Sequence, residues 1–263
     1  MKMNTSNLTK NRIAEYLEQG KRFDGRKADE YREITVETGI SKNAEGSARV
    51  RIGNTEVLVG VKMDTGTPYT DSPDKGNMMV TAELIPLSSE RFEYGPPSID
   101  AIELGRIVDR GVRESKLIEF EKLCIKEGEK VWTIFIDIYS MNDDGNLLDA
   151  ASIGAVAALR MAKMPKYNEE TEKVEYGEFT NKNIPLKKLT PIACTIYKID
   201  GKLIVDPTRE EEDASEGSIT ITFSEENRIN AAQKSGAKEF TLKEINEAID
   251  ISRKSWKKLS QKV

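Results

Sequence analysis

Histidine is absent from this chain of 263 residues. Chemistry therefore falls to carboxylates, lysines, arginines, tyrosines or the backbone. Ser-His-Asp and Cys-His triads and every histidine-ligated metal site are excluded. Three places gather what remains. Arg106, Arg110 and Arg113 share one face of a helix at 100° per residue, a pattern able to contact phosphates. Spacing alone supports equally well a solvated face whose arginines pair with Glu103, Asp109 and Glu114. The second place is the turn Asn142-Asp143-Asp144-Gly145-Asn146, which precedes a helix, and helix N-termini favour anions. Asp143, Asp144 and Asp149 crowd it with negative charge, and a helix dipole contributes only about 0.3–1 kcal/mol. A plain strand-to-helix connection is expected there. Glu210-Glu211-Glu212-Asp213 is the third. Consecutive acids on a loop do not converge as metal ligands must, so a solvated acidic loop is expected.

These residues need a frame. Residues 131–140 are β-branched and aromatic, suiting a central strand. Residues 150–162 form a helix with almost no polar side chain before Arg160. Asp149 is expected to cap it, and its small residues predict burial on more than one side. A buried helix fed by a buried strand marks the middle of a layered α/β or α+β domain. Residues 8–19 read as an amphipathic helix closed by Gly20, 34–38 as a strand, and 47–62 as a hairpin turning at Gly53-Asn54. Loops at 63–77 and 88–97 flank a strand at 78–86. The arginine helix spans 99–117, with Leu104, Ile107, Val108, Gly111 and Ser115 on its inner side. A polar stretch at 163–189 reads as a surface excursion. Beyond it come a hairpin at 192–205 turning at Asp200-Gly201, a strand at 218–223 and a helix at 241–259. Thr241 and Glu244 have capping-box spacing there, and Leu242, Ile245, Ile249, Trp256 and Leu259 form the apolar stripe.

Composition sets the limits. A net charge of −5 with 32% charged residues describes a globular chain with a highly charged surface. Nucleic-acid binding would need a local basic cluster or a partner, because there is no global positive excess. No apolar run approaches the roughly 20 residues that span a bilayer, and residues 1–20 lack an apolar signal core. A cytoplasmic protein away from membranes is expected. Cys124 and Cys194 read as buried free thiols.

Several motifs in order carry a resemblance. They are Arg22-Phe23-Asp24-Gly25-Arg26, Gly46-Ser47-Ala48 leading into Gly53-Asn54-Thr55, and Gly95-Pro96 before the arginine helix. Asp144-Gly145-Asn146 before the alanine-rich helix, and Asp206-Pro207-Thr208 with Glu211-Glu212, complete the set. Together they resemble the RNase PH family. Gly66-Thr67-Pro68-Tyr69, Ser72-Pro73-Asp74, Arg106-Ile107-Val108-Asp109-Arg110 and the run from Asp144 through Ala151 are similar to its non-catalytic branch in the archaeal exosome ring.

The resemblance implies an α+β, RNase PH-like fold of paired mixed sheets packed with helices, in two similar subdomains. The expected division is an N-terminal helix and arm at 1–30, a first domain at 31–165, a connecting segment at 166–189, and a second domain with the C-terminal helix at 190–263. Active members are phosphorolytic 3′ exoribonucleases. Their Arg-Arg pair falls at about Ser98 and Ile99, their phosphate loop at Asn146, Leu147 and Leu148, and their Asp pair at about Glu212 and Ser218. Phosphorolysis must hold phosphate and stabilise charge as the bond breaks, and here those roles lack owners. The expectation is a subunit with no catalytic residue, no metal and no cofactor. The resemblance further implies three heterodimers with a catalytic homologue in a six-membered ring, RNA-binding cap subunits on it, and single-stranded RNA held by the positions that Arg106 and Arg110 match; Arg113, on the same helix face, completes the expected RNA-binding set. The competing readings are an active phosphorolytic 3′-to-5′ exoribonuclease and an unrelated α/β enzyme acting on a small molecule.

Overall fold

A computed structural model describes residues 6–263; positions 1–5 of the expected N-terminal segment lie outside the described residues. The first half contains α1 (Asn7–Glu18), β1 (Ile34–Thr38), β2 (Gly46–Ile52), β3 (Thr55–Gly66), β4 (Asn77–Leu84), α2 (Ile99–Ser115), β5 (Cys124–Lys126), β6 (Lys130–Asn142) and α3 (Leu147–Met161). A hairpin of β7 (Lys163–Asn168) and β8 (Lys173–Asn183) follows. The second half contains β9 (Ile192–Ile199), β10 (Lys202–Val205), α4 (Arg209–Ala214), β11 (Gly217–Ser224), β12 (Arg228–Ser235) and α5 (Leu242–Leu259).

The first sheet runs β1-β2-β3-β6-β4, with β5 also on β6. It is mixed, because β4 lies parallel to β6 while β3 runs antiparallel to it. Strand β3 shows why the sheet has an inside: Val57, Val59, Val61 and Met63 are buried, and the residues between them are half-exposed. The second sheet runs β10-β9-β11-β12 and is antiparallel throughout.

Helix α3 is sandwiched between the sheets. Every residue from Asp149 to Leu159 is buried, as an apolar helix without a polar face requires. A Cβ on Gly154 would lie 2.6 Å from a Val59 methyl, so a glycine there lets the helix approach the first sheet closely. On the other side Ala193 N–H donates to Ser152 Oγ at 2.9 Å. Helix α2 covers β4 and reaches β12, and α5 covers β9 and β11.

Several expectations need correction. Helix α3 starts at Leu147 and is not capped by Asp149. Asn146 takes the cap position in the left-handed region (φ 64°) and makes no side-chain cap bond. Its amide is directed instead to Asp149 and Asp206. The acidic run is not a solvated loop. It forms α4, where Thr208 and Glu211 make a capping box. Strands β7, β8 and β12 went unpredicted; polar sequence pairs in antiparallel ladders there. Leu242 is 80% exposed in the first turn of α5 rather than part of its inner stripe. Cys194 is buried, but Cys124 is half-exposed on the short β5; both thiols are free.

Candidate functional site

The arginine helix starts where Ser98 Oγ accepts from Ala101 N–H at 3.2 Å and ends at Lys116 in the left-handed region (φ 57°). Its inner face buries Leu104, Ile107, Val108 and Val112. That fixes the direction of the outer face. Arg106 and Arg110 lie exposed there and line a groove with Val80, Thr81, Pro97 and Ile102.

The flanking acids do not neutralise this pair. Asp109 takes Arg113 in a two-point contact at 2.7 and 3.1 Å. Glu103 accepts from Gln233 Nε2 at 2.8 Å and from Ser235 Oγ. Arg106 and Arg110 are left without a hydrogen bond or ion pair among the described residues. Arg113 differs. It also donates to the Met78 carbonyl at 3.1 Å and lies over the Phe120 ring. Of the predicted trio, the structure therefore places two free cations on one groove and uses the third to tie α2 to β4.

A second location lies between the halves of the chain. A cavity of about 260 Å³ is lined on one side by Leu147 and Leu148 of α3 and on the other by Glu212 and Ser218. Asp100, Glu103, Asp143 and Glu212 bring carboxylates to its wall. Arg91 also lines it, ion-paired with Asp213 at 2.8 Å. The Asn146 N–H, which a phosphate would use, donates to Glu212 Oε2 at 3.0 Å. The chain's own carboxylate thus occupies the start of α3. Burial pushes the Glu212 carboxyl above its ordinary value, and the Asp143 charge adds to this. Among the described residues, no group of three acids or cysteines converges as a metal site.

Beside the cavity is a buried polar clasp that sequence reasoning missed. Asp206 is fully buried and accepts from Arg26, Arg32 and the Asn146 amide at 2.7–2.9 Å. Arg22 pairs with Glu211 in the same way and donates to the Val205 carbonyl. Asp149 accepts from Tyr31 Oη at 2.7 Å, Thr195 Oγ1 at 2.8 Å and Asn146 Nδ2 at 3.2 Å. The only advance signal was that Arg22, Arg26, Asp206 and Glu211 sat in separately noticed motifs.

Burial, with the Asp206 charge added, raises the Asp149 carboxyl from 3.8 to about 7 despite its three donors. A raised folded-state value means a stabilising contribution that is complete below about pH 4 and lost as pH climbs through the folded value. The stability of the wild type relative to Asp149→Asn should fall as pH rises from about 4 to about 7 and then level off. Denaturant midpoints at fixed ionic strength measure it, and a difference that stays constant over that range would contradict the shift.

Residues 30–165 match the 3′ exoribonuclease family, domain 1, and residues 190–255 match domain 2 of the same family. The chain belongs to the RNase PH family. Among its relatives, the exosome complex component Rrp42 of Thermococcus onnurineus is 45% identical over 260 residues, covering 98% of this chain and 95% of that one. The Rrp42 component of Archaeoglobus fulgidus is 44% identical, covering 94% and 92%. A chain of the Archaeoglobus fulgidus exosome solved with RNA bound to the active site superposes with a TM-score of 0.89 at 41% identity, over 97% of this chain and 98% of that chain. In RNase PH terms, the α+β fold with one sheet in each half is as the resemblance implied. Of the positions singled out in the sequence, Leu147, Leu148, Glu212 and Ser218 line one cavity, and Asn146 does not. Ser98 and Ile99 stand apart from that wall, at the cap and first residue of α2, and Ile99 is 83% exposed.

Proposed function

We propose that this chain is a non-catalytic RNase PH-like subunit of an archaeal-type exosome, acting with its catalytic homologue on single-stranded RNA. In this reading three heterodimers close a six-membered ring, RNA-binding cap subunits sit on it, and the complex works in the cytoplasm. Arg106 and Arg110 hold the RNA backbone beside the partner's active site. The chain contributes position and charge, and the partner contributes the chemistry.

One observation carries the reading. The inter-subdomain cavity where phosphorolysis would occur is walled by Asp100, Glu103, Asp143 and Glu212, and the arginine on its wall, Arg91, is ion-paired with Asp213. Phosphate as nucleophile and a developing oxyanion both need preorganised positive charge. Carboxylates repel both. The Rrp42 likeness supports the exosome part of the reading, since that relative is named as a component of an exosome complex.

The test is direct. The purified chain, given RNA, inorganic phosphate and magnesium, should release no nucleoside diphosphates above a no-protein control. Phosphate-dependent release by the pure chain would overturn the reading and favour an active exoribonuclease; loss of that release in Glu212→Gln would place the activity in this cavity, and its survival in both Glu212→Gln and Ser218→Ala would place it elsewhere.

A further inference from the structure

A second positively charged surface lies on a different element from Arg106 and Arg110. Helix α5 carries Lys254, Lys257 and Lys258, and Lys262 follows in the short turn after it; all four are exposed. At 100° per residue the three helical lysines fall within one sector, opposite the buried Ala248, Ser252, Ser255 and Leu259. Lys188, also exposed, joins them from the segment before β9. Three contacts bring that segment against α5. Trp256 Nε1 donates to the Thr190 carbonyl at 2.8 Å. Arg160 donates to the Val263 carbonyl at 2.9 Å and, at the other edge of its guanidinium, to the Leu189 carbonyl at 3.3 Å.

These charges are not cancelled locally. None of the five lysines forms an ion pair among the described residues. Glu225, the acid that touches this segment, directs its two oxygens to Thr190 at 2.8 and 2.7 Å. Asp250 pairs with Arg253 at 2.8 Å. A helix dipole accounts for lysines in a last turn. It does not account for Lys188, which comes from another element, and like charges at three- and four-residue spacing cost helix stability.

We propose that this lysine surface is a second contact for the phosphate backbone of single-stranded RNA, separate from the α2 groove. The proposal rests on the RNA-binding reading above and extends it to an additional site. RNA fits better than an acidic protein for a physical reason. A protein interface needs an apolar core, and no large apolar side chain is exposed in the last two turns of α5 or in residues 187–190. A polyanion needs only point charges that displace its condensed counterions. Lysines on flexible stems supply them without base recognition.

The experiment uses the full chain, alone and mixed with its catalytic homologue. Fluorescence anisotropy of labelled single-stranded RNA is followed against salt for the wild type, for Lys254→Gln/Lys257→Gln/Lys258→Gln, and for Arg106→Ala/Arg110→Ala. Glutamine keeps the helix propensity of lysine, and circular dichroism checks the fold. The triple variant should bind about tenfold more weakly at low salt, and its log–log salt slope should shrink by roughly 2, at about 0.7 per lost phosphate contact. An unchanged triple variant beside a weakened arginine variant would overturn this inference and leave the proposed function standing. If neither variant changes, both fall. Displacement of RNA by polyglutamate as effectively as by unlabelled RNA of equal charge would overturn the RNA assignment in favour of an acidic protein partner.

Discussion

Asp206→Ala should be the most destabilising single change in the polar clasp, at about 3–5 kcal/mol, the usual cost of removing one partner of a buried ion pair. The carboxylate is fully buried and ties the segment between α1 and β1 to the start of α3. Arg26 and Arg32 reach it from the segment between α1 and β1, and Asn146 from the start of α3; the Asp206 backbone carbonyl, which Asp206→Ala keeps, accepts from Arg22 and Arg26. Without it the Arg32 guanidinium, only 10% exposed, loses its main counter-charge. Burial alone would disfavour the Asp206 charge, but bonds from Arg32 more than offset it and hold the carboxyl below its ordinary value. A depressed value contributes stability that is present above the unfolded-state value and lost as pH falls through the folded one. The wild type should therefore lose this advantage in acid, below about pH 4. Urea unfolding of Asp206→Ala at neutral pH checks the magnitude; a loss under about 1 kcal/mol would place the clasp among ordinary surface pairs.

The second large effect concerns Arg106→Ala/Arg110→Ala. Both guanidiniums are exposed and uncommitted among the described residues, so a phosphate need not displace an existing partner. A charge-assisted bond contributes roughly 1.5 kcal/mol or more. Losing two should weaken RNA binding on the order of 100-fold and flatten the salt slope by roughly 1.4. The loss should be alike across sequences, because backbone contacts read no bases. Arg113→Ala should act differently. Its side chain ties Asp109 and the Met78 carbonyl, so its removal should lower stability more than RNA affinity. Equal affinity losses at all three positions would contradict that division.

The elements were legible wherever a hydrophobic period existed. Strand β3 alternates, α2 divides cleanly into two faces, and Thr241 with Glu244 forms the capping box its spacing announced. What escaped was set by distant partners. Glu211 is spoken for by Arg22, 189 residues away, and nothing local distinguishes it from a solvated glutamate. The start of α3 was misplaced for the same reason: Asn146 holds its conformation through Asp206 and Glu212 in the other half. Strands β7, β8 and β12 lack apolar alternation, so their ladders depend on the neighbouring chain segment. At the arginine face, spacing left two readings open. The commitment of Asp109 to Arg113 and of Glu103 to β12 decides which arginines stay free.

In the proposed ring, this chain retains RNA for a partner that cuts it. The most direct measurement is steady-state phosphorolysis by the reconstituted ring of catalytic homologue with either wild-type chain or Arg106→Ala/Arg110→Ala. If the arginines only retain substrate, KM should rise on the order of 100-fold while kcat is unchanged. A fall in kcat at saturating RNA, with KM unchanged, would contradict the account and place these arginines in the chemical step.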